Sequence, residues 1–96
     1  MKDKYNDNRL AEEFDLIVLT NDVHSPQGLP LGSLGTLTYS YTGGGKPLYA
    51  QFETENGGRR EEPLFLKDFR VLNVKNELDL SLVVAYLRRL YTRKKA

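Results

Sequence analysis

Few side chains in this chain are equipped for chemistry, and their spacing argues against catalysis. His24 is the single histidine and there is no cysteine, so a nucleophile–base pair has only hydroxyls to draw on. Asp22, Ser25 and Ser33 lie near His24 in sequence, but neighbours on one loop rarely converge as nucleophile, base and orienter. No catalytic residues are expected, and His24 reads as a solvent-exposed loop residue. Metal ligation fares no better. Glu61 with Glu62, or Asp22 with His24, leaves each ligand set incomplete, and no cofactor is implied. The Gly43-Gly44-Gly45 run with Lys46 lacks the Ser/Thr and the strand-to-helix setting of a phosphate loop, so it is a turn.

Binding is better supported. The tail YLRRLYTRKKA interleaves tyrosines with Arg88, Arg89, Arg93, Lys94 and Lys95, which suits phosphate contact and base stacking. Residues 1–75 carry 9 basic and 11 acidic side chains; residues 76–96 carry 5 and 2, so the chain has a basic tip rather than a basic surface. The same five cations also complement a helix dipole and favour solubility. Tyr39 and Tyr41 share a face with Leu37 and are expected in the core, whereas Tyr49 is the better exposed contact. Without tryptophan, and with an opening strand that lacks paired tyrosines, a polyproline groove is not indicated.

The elements that must position these residues are short. Phe14–Thr20 (FDLIVLT) is a branched apolar run suited to a strand covered on both faces. Asn21–Pro30 is a loop, with Val23 and Leu29 expected to fold back as a cap. From Thr36 to Tyr41 the chain alternates strictly, after Gly32 and Gly35, which permit a sharp bend. Strands over Pro47–Glu53, Arg59–Leu66 and Phe69–Val74 follow, with a hairpin signal at Asn56-Gly57 and Pro63 confined to an edge or bulge. Five strands with tight turns make a small, partly open barrel.

The last segment changes period. Asn76 is the expected N-cap, with Asp79 three residues on, and an amphipathic helix is expected over about residues 77–92. Leu80, Val83, Val84, Leu87, Leu90 and Tyr91 form the stripe expected to face the sheet. Leu78, Leu82 and Tyr86 form a second trace almost opposite, expected either to meet a partner or to be covered by Tyr5 and Leu10.

Ninety-six residues make one domain, with 40% apolar and 28% charged residues. Residues 1–13 read as a flexible polar lead-in, 14–74 as the barrel, and 75–96 as the helix and basic tail. A cysteine-free chain fits a reducing compartment. No run approaches the roughly 18 apolar residues of a membrane span, and the polar amino end is no signal peptide, so a cytoplasmic location is expected.

The runs DLIVLTNDV, GLPLGSLGTLTYSY, PLYAQFE and EPLFLKDFRVL together resemble a bacterial domain-of-unknown-function family with an SH3-like, KOW-like β-barrel. Asp15, Val18, Gly32, Gly35, Thr36, Tyr49, Phe52, Glu53, Leu64 and Leu72 fall on or near its pattern. Leu37 and Ala50 stand where valines are usual, and the helix lies outside it. The resemblance implies an SH3-like barrel over about residues 14–74. Two functions remain open. One is a non-catalytic assembly module binding another protein or a second copy through Leu78, Leu82, Tyr86 and Tyr49. The other is a small RNA- or DNA-binding domain of KOW-like type using the basic tail.

Overall fold

The computed structural model describes residues 4–39, 48–53 and 58–95, with the backbone alone at 39, 90 and 93–95. The Gly43-Gly44-Gly45 turn, Tyr41, the Asn56-Gly57 turn and the Tyr39 side chain lie outside that description.

The fold is mainly β: five antiparallel strands and one carboxy-terminal helix. The strands are β1 Leu16–Leu19, β2 Leu34–Tyr39, β3 Leu48–Glu53, β4 Arg59–Leu64 and β5 Phe69–Val71, followed by α1 Glu77–Lys95. They order as β4-β3-β2-β1-β5, so β1 to β4 form a meander and β5 returns beside β1. Among the described residues β4 and β5 are not paired, and the sheet is open. Pro63 sits on the edge strand β4 opposite Tyr49, where its missing N–H costs no second ladder.

β1 is covered on both faces, as its unbroken apolar run requires. Ile17 and Leu19 enter the main core with Leu37, Leu48, Phe52, Leu64 and Val71. Val18 turns the other way, into a smaller cluster with Leu34, Leu72 and Val83. Among the described residues, this is the cluster in which the helix packs apolar side chains against the sheet.

The amino-terminal segment is docked rather than frayed. The Asn8 amide donates to the Leu66 and Phe69 carbonyls at 2.8 and 2.6 Å, Ala11 is buried, and Tyr5 packs against the main core. Carbonyls of the turn before β5 and of its first residue need partners once buried, and the Asn8 amide donates to both. Leu10, by contrast, remains exposed and does not cover the helix.

Gly32 and Gly35 serve different purposes. Gly32 adopts φ +92°, the left-handed conformation that favours glycine. Gly35 lies in β2 opposite Ile17, and a Cβ there would meet the Phe52 ring at 2.7 Å and the Gln51 carbonyl oxygen at 2.8 Å. Gly35 is therefore a close-approach position, not a bend.

Candidate functional site: the exposed faces of the carboxy-terminal helix

α1 begins at a firm anchor. Asn76 caps it, accepting the Leu78 and Asp79 N–H groups at 2.9 and 3.2 Å. The Asp79 carboxylate does not complete a capping box. It instead accepts two hydrogen bonds of 2.9 Å from Arg70 of β5, and the Asn73 N–H at 2.8 Å. The Arg70 guanidinium, with the Asn73 N–H, holds the Asp79 carboxyl below its ordinary range although burial pushes it up.

That ion pair sets the rotation of α1. A buried carboxylate must face its partners, so the Asp79 side of the helix turns to the sheet. Val83, one turn on, is 8% exposed, and Tyr86 packs against the same small cluster. Asp79, Val83 and Tyr86 lie at i, i+4 and i+7, a narrow line of contact.

The expected docking stripe is consequently displaced. Only Val83 of its described side chains is buried; Leu80 is 45%, Leu87 55% and Tyr91 62% exposed, and Val84 is exposed as well. The Leu90 side chain lies outside the description. Of the second trace, Leu78 is 78% exposed and Leu82 also faces water, whereas Tyr86 is half-buried and is not part of an open face. Tyr49 is exposed on β3. Sequence periodicity missed Leu80, Val84 and Leu87 as surface residues. The available signal was Asp79, whose charge inside an apolar repeat needed a basic partner on the sheet.

Arg88 and Arg89 are exposed at the far end of α1, and Arg93, Lys94 and Lys95 continue the helix with side chains outside the description. Arg89 also lines a cavity of about 210 Å³ with Tyr86, Glu53, Phe52 and the Gly28–Leu34 segment. It is shared between the loop and the tail rather than belonging to the tail alone.

His24 is not the exposed loop residue expected. Its side chain is largely buried, with Nε2 3.6 Å from an Asp68 carboxylate oxygen. Asp68 is the reason. Buried in the turn just before β5, it accepts the Phe65 N–H at 2.9 Å and the Asn21 amide at 3.0 Å, drawing the loop inward. Burial pushes the Asp68 carboxyl up, but Asn21, Phe65 and His24 together hold it below its usual range. Leu29 enters the core while Val23 stays exposed, so one residue of the expected cap forms it. Arg60 of β4 donates to the Gln27 carbonyl, tying the loop to the opposite edge of the sheet. Among the described residues, no three of His, Asp and Glu gather as a metal-ligand set.

Phe14 combines exposure with strain: its side chain is exposed and its φ is +73°. A β-unbranched aromatic in the left-handed region costs free energy that glycine does not. Phe14→Gly is expected to leave the melting temperature within about 3 °C despite removing a whole ring. A larger fall in a thermal scan would show that the ring contributes packing.

No family model, curated protein or solved structure matches the chain. Among the described residues, no helix is long and apolar enough to cross a membrane.

Proposed function

We propose that the chain is a non-catalytic binding and assembly module, an SH3-like barrel whose carboxy-terminal helix carries the contact surface. The observation that carries this reading is that α1 meets its own sheet on one narrow line and exposes apolar side chains on two others. Leu80 and Leu87 lie on one side, Leu78 and Leu82 on another. Exposed apolar surface of this extent on one element usually marks a partner's place. The barrel reading draws support from the strand order, which is one pairing short of closure, and from Arg60 reaching from β4 to the β1–β2 loop. It is also the architecture implied by the family resemblance. A cytoplasmic setting suits a cysteine-free module of this kind.

A second reading, an RNA- or DNA-binding domain, rests on exposed Arg88 and Arg89 with Tyr91 between the basic positions. One pair of measurements separates the two. The full chain, immobilised, is expected to retain a defined protein from a lysate of its source, and Leu82→Glu or Tyr49→Ala is expected to lose it without a change in melting temperature. A mobility shift on generic RNA or DNA that weakens steeply between about 50 and 200 mM salt, and disappears when residues 93–96 are deleted, would favour the nucleic-acid reading instead.

A further inference from the structure

The exposed side of α1 has an order that goes beyond a general apolar surface. Leu80, Val84, Leu87 and Tyr91 are spaced four, three and four residues apart, the alternation of a heptad seam. Extending the same alternation outward places Glu77 one step before Leu80 and Lys94 one step after Tyr91. The seam is therefore apolar in its middle, acidic at its start and basic at its end. It lies roughly a quarter turn around the helix from the Asp79–Val83–Tyr86 line, so the sheet does not obstruct it.

We infer that a second copy of this chain occupies the seam, with the two α1 helices antiparallel. The inference rests on the assembly-module reading and names its partner. Two-fold antiparallel pairing sets Leu80 against the partner's Tyr91 and Val84 against the partner's Leu87. In the same register Glu77 meets the partner's Lys94, twice per dimer by symmetry. Parallel pairing would set Glu77 against itself and bring Arg88, Arg93, Lys94 and Lys95 of both copies together at one end, where like charges repel. Charge thus selects the antiparallel arrangement, and the apolar centre supplies the attraction. The occupant matches the seam because both sides are the same seam reversed. Leu78 and Leu82 lie away from this contact and stay open to a different protein.

Sedimentation equilibrium of the full chain from about 1 µM to 1 mM tests this. The wild type is expected to pass from monomer to dimer and no further. Leu87→Asp, at an exposed position, is expected to raise the dimer Kd at least about tenfold with an unchanged thermal midpoint of the monomer. Glu77→Lys alone and Lys94→Glu alone are each expected to weaken the dimer, and the double variant to restore it. Restoration is specific to the antiparallel register, since a parallel pair keeps its like charges in the double variant. A wild type that is monomeric at every concentration overturns the inference. So does a dimer indifferent to Leu87→Asp, or a double variant no better than the singles. The broader reading fails separately: a monomer that still retains a protein through Leu82 keeps the module and loses only self-pairing, while a monomer that retains none loses both.

Discussion

Replacing Gly35 by valine is expected to be the most damaging single change in the sheet, costing about 3 kcal/mol or more and lowering the melting temperature by roughly 10–20 °C. A Cβ at that position would stand 2.7 Å from the Phe52 Cε1 atom and 2.8 Å from the Gln51 carbonyl oxygen. The ring is a buried core residue packed among the aliphatic side chains of the main cluster, so displacing it gives up core contacts. The carbonyl belongs to β3, where Gln51 pairs with Thr36, so it moves only if the ladder moves. Gly35→Ala should follow the same direction with a smaller loss, and Phe52→Leu in that background should recover part of it. Gly32→Ala is the control. Nothing lies within 4 Å of a Cβ there, but φ is +92°, so the cost is that of backbone strain alone, about 1–2 kcal/mol. Thermal or urea denaturation ranks the two. If Gly32→Ala costs more than Gly35→Ala, close approach is not the reason for glycine at 35.

Removal of the Asp68 side chain is the second large effect. Asp68→Ala leaves the Phe65 N–H and the Asn21 amide without their carboxylate acceptor and takes away the group facing His24. A buried donor stripped of its partner costs about 1–3 kcal/mol; these two are part-buried and fall toward the lower end, so with the lost His24 contact a total loss of about 2–3 kcal/mol is expected. The loop over residues 21–30 should open with it, detectable as faster amide exchange at Leu29, whose N–H bonds the His24 carbonyl at 3.1 Å.

Acid should act on the same group. Folded Asp68 titrates below its unfolded value, so its stabilisation is fully present above about pH 4, the unfolded carboxylate value, and is lost as pH falls through the folded value. Asp79 carries the same sign, through Arg70. The wild type is expected to lose stability progressively below about pH 4, and Asp68→Asn to show a shallower dependence from a lower starting point. Equal slopes in the two proteins would mean that the Asp68 carboxylate is not specifically stabilised by the fold.

Much of the architecture is determined by local chemistry in the sequence itself. Strict alternation through Thr36–Tyr39 makes a strand because successive side chains must take opposite faces, and the unbroken apolar run of β1 requires cover on both sides. Asn76 caps α1 because its short amide reaches the orphan N–H groups of the first turn. Pro63 falls on an edge because it has no proton for a second ladder. These properties belong to a residue and its near neighbours in the chain.

What remained hidden depends on partners distant in sequence. Asn8 reads as part of a polar lead-in until Leu66 and Phe69, about sixty residues away, present carbonyls to it. His24 reads as exposed until Asp68 folds beneath the loop. Gly35 reads as a bend until the neighbouring strand brings Phe52 across it. The candidate contact surface was decided in the same way. Periodicity alone identifies α1 as amphipathic, but its rotation on the sheet is set by one ion pair between Asp79 and Arg70. A buried carboxylate held by a guanidinium outweighs the exposure of several leucines, because an unpaired charge in the interior costs far more than apolar surface left in water. The leucines therefore exist in the sequence as a stripe, and only the tertiary structure turns that stripe outward.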